Sequence, residues 1–463
     1  MPGCIRSVIS HTLLVFLLAL LATLPLTGCG RQTPPEAQKI RMIVETDAGG
    51  DPDDEQSLVR FLLYLNEWDV EGIIATRPQT RANNPNPNPD GITICRAFLA
   101  AYEEVFPTLS THADGFPSPD YLRKRTVAGY NDIDHGVELI IRAVDSPDPR
   151  PVWFSNWGTD DNTVSSLKRA LDKVLAERGP DGYAMFKNKI RLCSDDKFEQ
   201  HSSTTTPRWK LWVYTKMPDM DGGRWYHRFA PLTATAGGFD IEADVRTDHG
   251  PLGSLYAVTA GVSGEPQKEG DTPEFLYLIP TGMNDVTQPT WGSWAGRFGV
   301  RNDSSFAHNA NWYAPNLRDN LNGTINRDNT LSRWAVHIQN DFKARMDWCV
   351  STYEAANHPP SPSLNGDGSA AVMHLNVKAG TEIKLSAAGS TDPDGDKLRF
   401  QWFCYLEAGS YGRNVEISDA DSEQCEVSIP RDAVGRTIHV VLVCTDSGSP
   451  SLTRYRRVVL NVR

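Results

Sequence analysis

Between residues 40 and 350, short and almost continuous apolar runs alternate with longer segments whose apolar residues recur every three or four positions. The runs at 40–46 (IRMIVET), 70–76 (VEGIIAT), 150–157 (RPVWFSNW), 188–194 (NKIRLCS), 210–215 (KLWVYT) and 275–282 (FLYLIPTG) predict strands covered on both faces. The segments 55–67 and 162–178 predict amphipathic helices, and 332–350 predicts a closing helix. Strand alternating with helix predicts an α/β domain with a mainly parallel sheet over 40–355. The Pro-, Gly- and Ser-rich stretch at 356–370 predicts a linker. From 371 to 463 the pattern changes to short strands at regular spacing, among them TEIKLSAAGS, KLRFQWFCYLEAG and RTIHVVLVCTD. That spacing predicts a small all-β, Ig-like sandwich.

The first 29 residues follow other rules. A basic Arg6 precedes the apolar run 12–26, too short for a confident spanning helix, which ends in Leu26-Thr27-Gly28-Cys29. This end is similar to a bacterial lipobox, which implies export, lipidation of Cys29 and a membrane anchor. Gly30 after the cysteine implies the outer membrane, with the periplasm as the alternative, and 30–39 reads as a tether.

Composition narrows the function classes. Of 463 residues 40% are apolar and 22% charged, which is globular, and the formal net charge is −12. An acidic chain gains nothing from approaching phosphate backbones, so no nucleic-acid partner is expected. Eight cysteines contain no C-x-x-C pair, which leaves a zinc site unsupported, and one disulfide among Cys404, Cys425 and Cys444 stays open.

The most informative stretch is ETDAGGDPDDEQ, which places Glu45, Asp47, Asp51, Asp53 and Asp54 within ten residues. It falls between the first buried strand and the first helix, in the βα turn where open α/β sheets bind ligands. One or two acids there would serve as a helix cap. Four aspartates in one turn repel each other, and a hard cation with oxygen ligands relieves that repulsion. Gly49 and Gly50 let the backbone turn the carboxylates inward.

Thr46-Asp47-Ala48-Gly49-Gly50-Asp51-Pro52-Asp53-Asp54 resembles the D-T-D-x-G-x-D-D signature of the calcium-dependent nucleoside hydrolases. With HGPLGSLY (249–256), EGDTPEFLYLIPTGMND (269–285), PTWGSWAGRF (289–298) and NDFKARMDWCV (340–350), the chain resembles more closely the nucleoside-hydrolase-like domain of exported cellulose-binding proteins. STDPDGDKLRFQW and IHVVLVCTDSGSPSLTRYRRVV extend the resemblance through the C-terminal module. The resemblance implies a calcium cofactor and hydrolysis of an N-glycosidic or related glycosidic bond, with a glycoside or polysaccharide as ligand. The alternative is a non-catalytic carbohydrate-binding lipoprotein on the same fold.

By the same resemblance, Asp47 is a metal ligand and catalytic base, and Asp54 and Asp271 are metal ligands. Trp157 contributes its carbonyl, and Asp53 is catalytic. With Asp51 also near the ligand, the division of roles among Asp51, Asp53 and Asp54 depends on how the loop is counted. Asn156, Asn162, His249, Trp291 and Trp294 are further candidate substrate contacts. Asn162 also suits a helix cap, His249 a structural turn, and the two tryptophans core packing. Asp195 and Asp196 occupy a stretch that is richer in Asn and Glu in the nucleoside hydrolases. Gly270 stands where those enzymes often carry a leaving-group histidine. Asp392-Pro393-Asp394-Gly395-Asp396 suits a hairpin turn better than a second calcium site.

Overall fold

The computed structural model describes residues 38–130, 133–160, 163–195, 198, 201, 206–215, 229, 233, 236–258, 267–301 and 311–463. Its larger sheet has eight strands: β1 (Ile40–Thr46), β2 (Trp68–Ala75), β3 (Thr126–Ala128), β4 (Val152–Asn156), β5 (Ile190–Ser194), β6 (Trp212–Tyr214), β7 (Gly299–Val300) and β8 (Trp312–Ala314). The order is β3-β2-β1-β4-β5-β6-β8-β7, and every pairing is parallel except β7 with β8. The chain winds outward from β1 in one direction, then starts again at β4 on its other side. The crevice beyond the C-terminal ends of β1 and β4 is therefore a topological switch point, the place where such sheets bind ligands.

The helices that matter for that crevice are α1 (Asp53–Leu63), α2 (Gly91–Leu109), α3 (His135–Asp145), α4 (Ser166–Asn188), α5 (Thr272–Leu276) and α6 (Ala335–Asp347). All eleven residues of α1 are buried, although its pattern reads as amphipathic. Its polar side chains, Gln56 and Arg60 among them, are spent on tertiary contacts rather than on water. Helix α4 extends past the predicted end, across a kink at Gly179-Pro180. The apolar run 275–282 is not a strand. Pro273 opens the short helix α5 and the chain then turns through Pro280 to Gly282. A short run buried on all sides has the same pattern in helix or strand, so periodicity alone does not separate them.

Beyond residue 371 the chain forms two sheets. One has four strands in the order Met373–Val377, Thr453–Val462, Thr437–Thr445, Arg399–Cys404; the other has Glu382–Ser386, Gln424–Ser428 and Ile417–Ser418. Both contribute to one core that includes Leu385, Trp402, Val427, Leu442 and Leu460. The four-stranded sheet is covered on its other face as well, because Tyr405, Val441, Val443 and Tyr455 belong to the core of the α/β part. That double burial explains why 440–444 reads as an unbroken apolar run. Polar contacts lock the seam: Arg457, fully buried, donates to the carbonyls of Met283 (2.6 Å) and Trp291 (2.9 Å). Lys39–Arg463 accordingly forms one compact unit. Among the described residues no helix is long and apolar enough to cross a membrane. Cys404, Cys425 and Cys444 are unpaired, as are Cys95, Cys193 and Cys349.

Candidate metal centre at the switch point

The turn after β1 is built around Asp47. Its carbonyl accepts from Gly50 N (2.9 Å), and Gly49 takes a φ of +96°. A Cβ on Gly50 would lie 2.8 Å from Asp47 Oδ2, and one on Gly158, after β4, would lie 2.9 Å from Asp47 Oδ1. The carboxylate is thus seated between two glycines, one from each side of the switch point, where any larger residue would push it away. Glu45 fixes the second wall: fully buried, it accepts from Asn156 Nδ2 (2.9 Å), Ser165 Oγ and Ser166 N (2.6 Å). It thereby ties β4 and the start of α4 to β1.

Helix α1 presents its first turn to the same place. Asp53 and Asp54 are 4% and 2% exposed, and Asp271, just before α5, is 1% exposed. One carboxylate oxygen from each of the three lies within 4.8 Å of the others. Oxygens placed ~2.3–2.6 Å from a shared hard cation stand up to about 5 Å apart, so the trio fits one ion. Burial, and then the charges of Asp271, Asp47 and Asp53, hold the Asp54 carboxyl well above the usual carboxylate range, against the hydrogen bond from Thr46. Three buried carboxylates with the Asp47 charge beside them are a donor set that could hold a cation. The structure thus brings Asp53 into the converging group, with Asp47 next to it.

The segment carrying Asp271 is clamped to α1. Gln56 Oε1 accepts from Lys268 N (2.8 Å) and Glu269 N (3.0 Å). Arg60 meets Glu269 in a fork, Nε to Oε2 at 2.6 Å and Nη2 to Oε1 at 2.9 Å, with both side chains 0% exposed. Tyr256 (2.7 Å), Gln267 (2.8 Å) and Thr272 (2.8 Å) also donate to the Glu269 carboxylate. The clamp holds Glu269 at a φ of +42°, a conformation a non-glycine residue keeps only when its surroundings impose it.

Three further groups shape the site and carry no signal in the motif. Lys268 reaches into the acidic turn and pairs with Asp51 and, at 3.1 Å, with Asp53 Oδ2. Arg77, 3% exposed, pairs with Asp160 and lies beside Gly49 and Gly50. The loop at 79–90 packs on the turn: Arg81 N donates to Gly49 O (2.8 Å), and Asn84 Nδ2 to Gly50 O (3.1 Å) and Glu55 Oε1 (2.8 Å). Only the basic character of Lys268, three residues before Asp271, could have suggested it from sequence.

Glu55 gives this electrostatics a measurable consequence. Burial, opposed by the Asn84 hydrogen bond, pushes its carboxyl from 4.5 up to about 7. A raised folded-state pKa means the protonated form is favoured by the fold. Its stabilising effect is complete below about pH 4.5 and is lost as the pH rises through about 7. In chelator, denaturation of Glu55→Gln between pH 4.5 and 8 should therefore lack a loss of about 3 kcal/mol that the parent shows. Parallel curves for the two proteins would refute this.

Of the other expected contacts, Asn156 lies at the end of β4 with its Nδ2 committed to Glu45 and its Oδ1, fully buried, without a hydrogen-bond partner among the described residues. Asp51 faces Lys268. The Trp157 side chain packs in the core, its Nε1 bonded to Ser155 Oγ (3.0 Å), one residue before the glycine that seats Asp47. Asp195 N donates to the Asn156 carbonyl (3.1 Å), which places it at the same sheet edge. His249 is not drawn to these carboxylates: its Nε2 meets Asp347 Oδ1 at 3.1 Å, at the end of α6. The two tryptophans differ in exposure, Trp291 being half-buried and Trp294 buried. Trp291 packs edge-on against His439 of the β-module, and Trp294 is 1% exposed and donates to Tyr455 Oη (3.2 Å). Asn162, Asp196 and Cys29 lie outside the described residues.

A parallel sheet wound 3-2-1-4-5-6, with buried carboxylates gathered at its switch point and a β-module appended, defines a nucleoside-hydrolase-like protein. Residues 41–298 match the family model for the cellulose-binding Sde182 nucleoside hydrolase-like domain, and residues 382–462 match that for the C-terminal domain of the cellulose-binding protein Sde0182. The chain belongs to this family. It is 35% identical, with a TM-score of 0.71, to a nucleoside hydrolase-related hypothetical protein from Saccharophagus degradans described as associated with carbohydrate metabolism; the match covers 92% of this chain and 100% of that one. Matches to human CDH23 EC21-23 (15% identity, TM-score 0.18, 22% of this chain and 33% of that one) and to the PKD domain of the KIAA 1837 protein (18% identity, TM-score 0.15, 20% and 81%) are also found. No curated protein matches the chain significantly.

Proposed function

We propose that this protein is a calcium-dependent hydrolase of N-glycosidic or related glycosidic bonds, exported and held at the bacterial outer membrane by a lipid on Cys29. The observation that carries the reading is the convergence of Asp53, Asp54 and Asp271 beside Asp47 in a buried crevice at the switch point. Those three carboxylates would hold the ion, which orients sugar hydroxyls and acidifies a water. Asp47, seated between Gly50 and Gly158, takes the proton of the attacking water. Asn156 Oδ1 is the acceptor left for a ligand hydroxyl. The carboxylates surrounding the crevice stabilise the positive charge that develops on the sugar as the glycosidic bond breaks. Gly270 offers no leaving-group acid.

That gap, and the cellulose-binding description of the family, favour a second reading: the same site grips a plant polysaccharide without cleaving it. The chain from Gly30 onward, incubated with ribonucleosides, aryl ribosides, and cello- and xylo-oligosaccharides, separates the two. Hydrolysis predicts sugar release that falls at least ~100-fold in Asp47→Ala and disappears with chelator. Glycan retention that needs calcium, without release, establishes the binding reading and overturns the first.

A further inference from the structure

The crevice holds more negative charge than one divalent ion balances. Asp47, Asp53, Asp54 and Asp271 share the electrostatic environment that raises Asp54, and Asp51 stands on the same turn. One positive side chain is built into this group. Lys268 is 5% exposed, and its ammonium lies between Asp51 and Asp53, 3.1 Å from Asp53 Oδ2. The side chain is delivered there by the backbone rather than by chance. Its own N–H and that of Glu269 are both bonded to Gln56 Oε1, and Glu269 is gripped by the Arg60 fork. Asp53 is therefore shared: one of its oxygens lies within 4.8 Å of oxygens of Asp54 and Asp271, and its Oδ2 meets the ammonium at 3.1 Å.

We propose that Lys268 is a resident monovalent cation of the carboxylate centre, filling the place between Asp51 and Asp53 that a second divalent ion would otherwise take. The inference rests on the reading of Asp53, Asp54 and Asp271 as an ion site. It assigns Lys268 a positioning and selective role. The ammonium holds the Asp53 carboxylate in place, limits the centre to one divalent ion and weakens that ion's binding, because a fixed positive charge repels it.

Calcium and manganese titrations by calorimetry on the parent, Lys268→Met and Lys268→Arg test this without reference to catalysis. The parent is expected to take one ion. Lys268→Met is expected to bind it at least about tenfold more tightly and to take a second manganese, while Lys268→Arg keeps the parent's stoichiometry. Lys268→Gln serves if the methionine variant does not fold. A silent parent with a binding Lys268→Met overturns the inference, because the ammonium then excludes the one ion that the centre is proposed to hold beside it. A parent that binds one ion with Lys268→Met unchanged in affinity and stoichiometry overturns the inference and leaves the ion site standing. Silence in both overturns the ion site and the inference with it.

Discussion

Asp54→Asn is expected to abolish stabilisation by calcium while leaving the metal-free protein at least as stable as the parent. The two signs come from one cause. Without an ion, Asp54 is a 2%-exposed carboxylate facing the charges of Asp271, Asp47 and Asp53. An amide of the same shape removes that repulsion and still accepts the hydrogen bond from Thr46. With an ion, the same carboxylate is a ligand, and its loss weakens the site. A ligand present at 100 times its Kd stabilises the folded state by about 2.7 kcal/mol, so the parent should gain roughly that much and the variant almost nothing. Thermal denaturation with calcium and with chelator reads both effects. Equal gains in the two proteins, or a variant clearly less stable in chelator, would remove Asp54 from the centre. The raised carboxyl adds a pH signature, since an ion must displace the proton. Calcium affinity should climb with pH across the titration of Asp54.

Arg60→Met should cost about 3–5 kcal/mol, more than other single changes near the site. Arg60 is the cationic partner in the fork to Glu269, and both side chains are 0% exposed. Its guanidinium also lies 3.7 Å from the centre of the Phe342 ring. Removing it leaves a carboxylate buried without its countercharge. The hydrogen bonds from Tyr256, Gln267 and Thr272 remain but supply no positive charge. Urea denaturation measures the loss. The double variant Arg60→Met, Glu269→Gln should recover part of it, because a neutral amide needs no countercharge. Since Glu269 lies between Lys268 and Asp271, the single variant should also lose cation affinity. A cost under about 1 kcal/mol would mean that the clamp does not hold this segment.

The close docking of the β-module changes how its loss should be regarded. Tyr455 donates its backbone N–H to Thr281 O (3.0 Å), and a Cβ on Gly282 would stand 1.9 Å from Tyr455 O. The segment 280–283 thus lies between the module and α5, whose N-terminal neighbour is Asp271. The module is part of the scaffold of the crevice as well as a neighbour in the chain.

Much of this molecule was determined locally. Continuous apolar runs marked β1, β2, β4, β5 and β6, though not the run at 275–282, which opens as a helix, and the Asp-rich residues after the first of them marked a polar turn at a sheet edge, because these depend on neighbours along the chain. The family signature at 46–54 and the change of pattern after 370 needed nothing more. The tertiary structure alone decided which distant groups face that turn. Asp271 lies more than two hundred residues from Asp54, and its approach depends on Gln56 and Arg60 meeting Glu269 from a helix whose pattern predicts a solvated face. Lys268 and the 79–90 loop enter by the same route, and the tryptophans at 291 and 294 meet His439 and Tyr455 of the module. Periodicity records which positions are apolar, and it does not record what a polar residue is buried against, where the chemistry of this centre lies.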